Sequence, residues 1–462
     1  MPVTMRARVL GLLATGLLLA GCGPFGPPSR GQGAPGKGGA IPSVQSPTLV
    51  VPSEAAFNQP LTLGVNAGRL TAVTVIPDPA VASPGPTPTG AGSTPTGAGS
   101  TVVQPGAGST PPGTASAPLT VPGLAANTAA AGSAELVGTI GANGASWTST
   151  TLPLPDVVYQ VHAVALDSAG STHVLTASVH VLAVPNPERV TLTMQPNEGE
   201  VVGVGAPIVI RFDQHILDRA AVQRALVLRT TTPLVGAWHW LGDQEVRFRP
   251  ERFWPTGTTV SLSVQLNGVK AGPQLWGGRD YQLTFHVGES HITHVDGVKH
   301  TVTVTVNGKV VAIWPASLGR PDFATRSGTY IVLSRTPQIQ MTSCSAQITC
   351  DKTNPNYYDL AVYWDVRLTW SGTFMHAAPW SVNEQGVANV SHGCVNLSPA
   401  HAKAFYDSAQ YGDIVTVSGT SRNASDLVAN GDPGMLDWNM TWASYVAGSA
   451  LGQPVTTLPL GG

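Results

Sequence analysis

Alternating apolar and polar positions recur along this chain and predict a protein built mainly from β-strands. Successive side chains of a strand point to opposite faces, so a period of two indicates a half-buried strand. The pattern is clearest at Thr301–Val306, where threonine and valine alternate. Asn307 and Gly308 follow, and this pair readily adopts the two positive φ angles of a type I′ turn. Residues 309–313 are largely apolar again, so we predict a hairpin over residues 301–313.

Two strand-rich segments precede this hairpin. Residues 45–186 show alternation on both sides of a stretch, 79–134, that contains no Asp, Glu, Lys or Arg and repeats TPTGAGS in tandem. Such a composition cannot bury a core. We favour one immunoglobulin-like sandwich with a disordered insertion at about 82–118. The alternative is a long linker followed by a half-size domain.

Residues 187–288 carry several strand-like runs at short spacing, which is typical of a second immunoglobulin-like sandwich. Only residues 217–228 have a helical pattern. Trp238, Trp240 and Trp254 are interpreted as packing residues, with a sugar-binding role as the alternative.

Residues 289–420 form a third, β-rich unit that begins with the hairpin. Its best helix covers residues 398–411, because Ser398 can cap it and Pro399 fits its first turn. Residues 421–462 are expected to pack on this unit as a C-terminal segment. Three of its aromatic residues have i, i+4 and i+7 spacing, which predicts that they form one face of a helix packed against the rest of the protein. They are Trp438, Trp442 and Tyr445.

Composition excludes several classes of function. The net charge is −2 and charged residues make up 11% of the chain, against about 25% in ordinary globular proteins, so no strong field attracts nucleic acid or anionic lipid. Histidines 286, 291, 294 and 300 have no recognised metal-ligand spacing, and we interpret them as solvated linker residues. We expect no metal and no cofactor.

The N-terminus is typical of a processing segment. Arg6 and Arg8 precede an apolar run over residues 9–19, which is too short to span a bilayer, and the run ends in Leu-Ala-Gly-Cys22. This resembles a bacterial lipobox, which implies that residues 1–22 are a signal peptide and that Cys22 is lipidated. Residues 23–44 would then tether the protein to the outer face of the membrane. The alternative is an ordinary signal peptide cut near Ala20.

The remaining three cysteines divide by position. Cys344 and Cys350 lie six residues apart in a polar stretch, and an oxidising compartment favours a disulfide between them over two free thiols. Cys394 is left over, so it is a candidate reactive thiol.

Cys394 lies in the sequence Ser391-His392-Gly393-Cys394. A thiol is a nucleophile only as thiolate, and a nearby imidazole can take its proton. His392 is too close in sequence to align its ring easily on the sulfur, so His376, from a separate strand, is the favoured base. Gly393 permits a strained turn, and the backbone N–H groups of residues 392–394 could bind an oxyanion. The segment alone is equally compatible with a buried structural cysteine.

A resemblance to a known family sharpens this hypothesis. His376, fourteen intervening residues and then Ser-His-Gly-Cys-Val-Asn at residues 391–396 match the signature of L,D-transpeptidases with a YkuD-type catalytic domain. The neighbouring sequences MHAAPWSV and DWNMTW are similar to those of the mycobacterial-type members, and residues 187–288 resemble the immunoglobulin-like domain that precedes catalysis in them.

The resemblance implies an enzyme that cuts a tetrapeptide stem of peptidoglycan after its third residue, a diamino acid, and releases the terminal D-Ala. Cys394 would hold the stem as a thioester until the amine of a second stem attacks, which gives a 3→3 crosslink. Carbapenems are the inhibitors that it implies. The oxyanion and orientation network would comprise His392, Gly393, Tyr358 and Ser391. The substrate cleft would be lined by Met341, Tyr357, Ser371, Ala377, Trp380 and Asn396.

Two departures from the family pattern matter. Ala377 stands where many relatives have Ser. The change is harmless if only the backbone carbonyl orients His376, and it alters affinity or specificity if the missing hydroxyl binds substrate. Cys344 and Cys350 fall in the lid region, where a disulfide is expected to stiffen the flap over the cleft. Two other functions remain open: a thiol carboxypeptidase that gives the thioester to water, and a lipid-anchored wall-binding protein without activity.

Overall fold

The computed structural model describes residues 44–79, 135–346 and 348–461. The chain from Gln45 onwards forms one compact unit. Cys22, the tether and the predicted insertion lie outside the described residues. Among the helices that are described, none is long and apolar enough to cross a membrane.

The first sandwich consists of two four-stranded sheets, in the orders β1-β3-β6-β5 and β2-β8-β7-β4. Buried residues from both sheets, among them Leu63, Trp147, Tyr159 and Val179, form one core between them. The strands are β1 (Thr48–Val50), β2 (Glu54–Ala55), β3 (Thr62–Asn66), β4 (Arg69–Pro77), β5 (Gly138–Ile140), β6 (Ser146–Ser149), β7 (Val158–Leu166) and β8 (Thr172–Val181).

The second sandwich has two five-stranded sheets, β10-β12-β15-β14-β30 and β11-β19-β16-β13-β31, with a small sheet β17-β18-β9 beside them. Two of these strands, β30 (Val455–Thr456) and β31 (Leu458–Pro459), come from the C-terminal segment. Trp238 and Trp254 are almost fully buried in its core, as expected for packing residues. The strands within residues 187–288 are β9 (Arg189–Val190), β10 (Leu192–Gln195), β11 (Val201–Val202), β12 (Ile208–Phe212), β13 (Leu226–Thr230), β14 (Val235–Leu241), β15 (Glu245–Pro250), β16 (Thr259–Val264), β17 (Lys270–Gly272), β18 (Leu275–Gly277) and β19 (Tyr281–Val287).

The helix predicted over residues 217–228 is shorter than expected. Helix α1 covers only Arg219–Arg224, capped by Asp218, whose carboxylate accepts the Ala221 N–H at 2.9 Å. From Leu226 the chain becomes β13, because its backbone pairs with β16. Sheet pairing therefore overrides the helical pattern after one and a half turns.

The third unit joins a six-stranded sheet, β22-β21-β20-β28-β23-β29, to a four-stranded sheet, β24-β25-β26-β27. The predicted hairpin is confirmed, since Asn307 and Gly308 have φ of 49° and 77° between β21 and β22. The strands are β20 (His291–Asp296), β21 (Thr301–Val306), β22 (Lys309–Pro315), β23 (Arg326–Ile331), β24 (Ser334–Thr342), β25 (Asp359–Arg367), β26 (Phe374–Ala377), β27 (Val395–Leu397) and β28 (Ile414–Ser418).

Helix α2 (Pro399–Ser408) covers one face of the four-stranded sheet. Ser398 caps it by accepting the His401 N–H at 3.2 Å, and Phe405 packs in a buried core with Val366 and Met375. Helix α2 does not cover the opposite face of strands β25, β26 and β27. Two short 3-10 helices, Pro321–Phe323 and Pro379–Ser381, complete this unit.

The C-terminal segment does not pack on the third unit alone. It contains β29 (Arg422–Asn423), α3 (Ser425–Ala429), α4 (Leu436–Asn439), α5 (Trp442–Ala447), β30 (Val455–Thr456) and β31 (Leu458–Pro459). Asn439 at the end of α4 binds both backbone groups of Thr329 in β23. Strands β30 and β31, however, extend the two sheets of the second sandwich. The segment therefore joins the two units.

The aromatic residues of this segment also differ from the single helical face that their spacing predicts. The chain leaves the helix between α4 and α5, so two short helices present the rings. The guanidinium carbon of Arg249 lies 4.7, 5.1 and 4.5 Å from the ring centres of Trp438, Trp442 and Tyr445. The three rings thus surround an arginine of the second sandwich.

A buried ion pair reinforces this junction. Arg247 of β15 donates to both carboxylate oxygens of Asp437 in α4, at 3.0 and 2.6 Å, and both side chains are 1% exposed. Tyr445 donates to the same carboxylate at 3.1 Å, and Glu245 accepts from Arg247 at 2.7 Å. Because every charge here is paired and hydrogen-bonded, the network holds the C-terminal segment on the second sandwich.

Candidate active site

Cys394 and His376 are brought together by two adjacent parallel strands. Strand β26 pairs with β27 so that His376 lies beside Asn396. Cys394 precedes Asn396 by two residues, and residues two apart in an extended segment share a face. Both side chains line the same pocket, about 300 Å³ in volume, on the sheet face opposite α2.

The ring of His376 is oriented by a backbone carbonyl. Its Nδ1 lies 2.9 Å from the Ala377 oxygen, which only accepts, so Nδ1 carries the proton and Nε2 is the free basic nitrogen. Burial lowers the pKa of His376 to about 4, so the ring is neutral at pH 7. The methyl of Ala377 takes no part in this contact, and orientation of the ring survives without a serine there.

The thiol of Cys394 is also neutral at rest. Its Sγ lies 3.5 Å from the Gly372 carbonyl oxygen. The pKa of Cys394 is raised to about 11, chiefly by burial and also by the charge of Asp365, although the Phe374 N–H and Arg367 act to lower it. The pocket therefore contains a neutral thiol and a neutral imidazole at pH 7, and the free Nε2 of His376 is able to accept a proton.

The raised pKa predicts how Cys394 reacts with iodoacetamide. The thiolate is the reactive form, so alkylation at pH 7 should be slower than for an ordinary cysteine of pKa about 8.5, and the rate should still be rising above pH 9. The rate is measured by mass spectrometry of the peptide that contains Cys394, with the urea-unfolded protein as reference. An alkylation midpoint below pH 7 in the folded protein would contradict the neutral pair.

The loop before Cys394 is held rigidly by backbone contacts. Gly393 has φ of +126°, a conformation that favours glycine. Ser391 Oγ accepts the Gly393 N–H at 3.0 Å and donates to the Cys394 oxygen at 2.7 Å, and Thr325 donates to the Gly393 oxygen at 2.9 Å. The Gly393 N–H is therefore engaged and is not available for an oxyanion. Among the described residues, the N–H groups of His392 and Cys394 have no acceptor.

His392 and Tyr358 line the pocket that contains Cys394. Their ring centres lie 5.2 Å apart, and His392 Nε2 is buried with no hydrogen-bond partner in the described parts of the chain. Burial, followed by the charge of Arg320, lowers the pKa of His392. Burial and then the charge of Cys394 raise the pKa of Tyr358 to about 12, so its phenol stays protonated and can donate.

The residues expected in the substrate cleft divide into two groups. Met341, Trp380 and Asn396 line the pocket, although the Asn396 amide is engaged with Ser381 at 3.0 Å. The other three, Tyr357, Ser371 and Ala377, are not among its lining residues. Ser371 is turned away because its hydroxyl donates to Thr369 and its N–H to Asp432.

Comparison with known proteins identifies the family to which this chain belongs. A family model described as the L,D-transpeptidase catalytic domain matches residues 290–417, and a bacterial Ig domain model matches residues 125–270. L,D-transpeptidase 2 of Mycobacterium tuberculosis is 38% identical over 317 residues, which is 68% of this chain and 75% of that protein. The chain belongs to the L,D-transpeptidase family.

Further relatives are similar over shorter stretches. L,D-transpeptidase 1 of Mycobacterium tuberculosis is 37% identical over 254 residues, which is 54% of this chain and 93% of that protein. A solved structure of an L,D-transpeptidase in complex with imipenem is 36% identical and covers 50% of this chain and 99% of that one, with a TM-score of 0.44.

Part of the pocket of this transpeptidase was missed by sequence reasoning. Its additional lining residues are Leu360, Val362, Ser381, Glu384 and Val390. Leu360 and Val362 lie two residues apart on β25, so the period of two could have predicted that both face the pocket. Ser381, Glu384 and Val390 come from the loop between His376 and Cys394, where no regular pattern marks a side chain as facing the pocket.

Cys344 and Cys350 form a disulfide in the loop between β24 and β25. Ser343, which is fully buried, connects this loop to Tyr358: its hydroxyl donates to the Thr349 oxygen at 2.8 Å and accepts the Tyr358 N–H at 3.2 Å. The disulfide loop and a pocket residue are therefore held by one side chain.

Replacing Cys344 and Cys350 together by serine should loosen this wall of the pocket. Opening a short disulfide loop costs about 2 kcal/mol by chain entropy, and the effect should reach Tyr358 through Ser343. Hydrogen exchange is expected to accelerate in peptides covering residues 343–358 and to stay unchanged in β23. Equal exchange in the oxidised protein and the variant would show that the disulfide does not stiffen the flap.

Proposed function

We propose that this transpeptidase cuts a peptidoglycan tetrapeptide stem after its third residue and joins the product to a second stem by a 3→3 crosslink. The observation that carries the proposal is the free Nε2 of His376 in the same pocket as the Cys394 thiol. A complete nucleophile and base in a concave pocket also speaks against a wall-binding protein without activity.

The first half of the reaction forms a thioester. The Sγ proton of Cys394 passes to Nε2 of His376 as sulfur attacks the carbonyl carbon of the third stem residue. The N–H groups of His392 and Cys394 are free to bind the resulting oxyanion, and the Tyr358 phenol is a further donor at the pocket wall. Collapse breaks the C–N bond, and His376 gives its proton to the amine of the leaving D-Ala.

The second half transfers the acyl group. The side-chain amine of a second stem's diamino acid attacks the thioester carbonyl, and His376 takes a proton from that amine. Collapse then breaks the C–S bond, an amide forms between the stems, and the proton returns to Cys394. His376 therefore acts alternately as base and acid, which its neutral resting form allows.

The test is to incubate the purified protein with disaccharide tetrapeptide and to separate the products by mass spectrometry. The proposal predicts free D-Ala and a crosslinked dimer, with neither formed by the Cys394→Ala protein. Trimmed tripeptide stems without a dimer, at saturating amine acceptor, would identify a carboxypeptidase instead. No release of D-Ala would overturn the catalytic proposal.

We also propose that carbapenems acylate Cys394, because a strained lactam carbonyl is a substrate for the same thiol and base.

We propose that a lipid at Cys22 anchors the protein on the outer face of the membrane, where stem peptides are found. The lipobox-like sequence that ends at Cys22 supports this proposal. The mass of the mature N-terminal peptide isolated from cells tests the anchor.

A further inference from the structure

One buried carboxyl group near the pocket has no side-chain hydrogen-bond partner. Asp365 is 1% exposed; no side chain among the described residues is hydrogen-bonded to its carboxyl oxygens, and the Ile339 N–H is the backbone group that lowers its pKa. Burying an unpaired polar group is costly, so a group of this kind in a folded protein needs a reason.

An irregularity in β25 places Asp365 on the pocket side of the sheet. Val362 lines the pocket, yet Val366, four residues later, lies in the core on the opposite side. Between them Trp364 has φ of +57°, which is rare for a bulky residue, and its ring packs on Tyr406 of α2. The alternation reverses at Trp364, and this strained residue brings Asp365 to the same face as the catalytic pair.

The register of the next strand aligns Asp365 with His376. Strands β25 and β26 are antiparallel, with Val366 opposite Met375. One step further in the same register, Asp365 is opposite His376, and neighbouring strands are about 4.8 Å apart. Cys394 lies one strand further away, and the charge of Asp365 reaches it.

The charged and titratable groups that face Asp365 come from three strands. They are Arg367 on β25, His376 on β26 and Cys394 before β27, whereas β24 presents the uncharged Thr336. Burial raises the pKa of Asp365 to about 7, although a backbone hydrogen bond and Arg367 lower it. Its carboxyl therefore changes charge close to neutral pH.

We propose that Asp365 is a positioning residue of the transpeptidase, whose ionised carboxylate stabilises the imidazolium that His376 becomes when it takes the Cys394 proton. The inference rests on the proposed function. One proton moves from Sγ to Nε2, and Asp365 neither gains nor loses one. Arg367, whose charge acts on both Asp365 and Cys394, offsets part of the repulsion between this carboxylate and the thiolate.

The matched test is the pH profile of acylation by imipenem in the native protein, Asp365→Asn and Asp359→Asn. Asp359 is an exposed carboxylate on the same strand and serves as the control. The native rate should rise through an ionisation near pH 7. In Asp365→Asn the acylation rate should no longer rise near pH 7. The variant should react about tenfold more slowly than the native protein at pH 8, and within about twofold of it at pH 6, where Asp365 is largely protonated.

Thermal unfolding of the same variants separates this role from a structural one. The pKa of Asp365 is raised on folding, so the folded state binds its proton more tightly than the unfolded chain does, and stability falls as pH rises from about 4 to 7. Asp365→Asn should therefore melt at a higher temperature than the native protein at pH 8 and at the same temperature at pH 4. Greater stability with slower acylation is the expected signature.

Each outcome has a distinct meaning. An unchanged pH profile in Asp365→Asn, or a loss of both rate and melting temperature at every pH, overturns the role of Asp365. A native protein that imipenem does not acylate at all overturns the proposed function, and this role with it. Loss of the ionisation in Asp359→Asn as well would show that the step does not belong to Asp365.

Discussion

Replacing His376 with alanine should slow the acylation of Cys394 by about 10²–10⁴-fold, the usual contribution of a general base. The thiol has a pKa of about 11, so at pH 7 almost no thiolate exists without a neighbouring base. The rate is measured with imipenem by following the mass of the protein over time. Raising the pH should restore part of the lost rate in His376→Ala, because hydroxide then forms the thiolate.

The control is His294→Ala, which removes an exposed histidine of β20 far from the pocket lining. It should acylate at the native rate. If His376→Ala also kept the native rate at pH 7, the proton would be going to another group. His392 would be the next candidate, because it is the other histidine in the pocket.

Replacing Asp437 with alanine should destabilise the protein by about 3–5 kcal/mol, since the change leaves Arg247 buried at 1% exposure without its main partner. Asp437 also accepts from Tyr445, so one substitution weakens the attachment of both α4 and α5. Urea unfolding monitored by tryptophan fluorescence gives the change in the free energy of unfolding.

Asp407→Ala provides the comparison, because its pair with Lys403 has both side chains about half exposed. Exposed pairs contribute less than about 1 kcal/mol. Equal losses in the two variants would mean that the C-terminal segment is not held by the buried pair. A loss confined to Asp437→Ala supports the view that the segment joins the second sandwich to the third unit.

Local sequence patterns were sufficient to predict many of the strands, one turn and the start of one helix. Alternation predicted the strands, Asn307-Gly308 predicted the turn, and Ser398-Pro399 predicted the start of α2, because each depends on the backbone preferences of a few neighbouring residues. His376 was expected to approach Cys394 from a separate strand, and the two side chains line one pocket.

Features that depend on distant parts of the chain were not predictable. Strand β31 pairs with β13, more than 220 residues earlier, and no local pattern identifies that partner. Residues 217–228 have a helical period, but from Leu226 the chain forms a strand because it pairs with β16. The reversal of alternation at Trp364 changes which side chains of β25 face the pocket, so the sequence did not indicate Asp365. Ser371 was expected in the pocket, but its hydrogen bonds to Thr369 and Asp432 turn it away from the pocket.

Acylation of Cys394 is the step on which the roles of His376 and Asp365 both depend, and intact-mass spectrometry after incubation with imipenem measures it. The native protein should gain the mass of one drug molecule, mapped to the peptide containing Cys394, and Cys394→Ala should gain none. A native protein of unchanged mass, or an adduct that persists in Cys394→Ala, would contradict it.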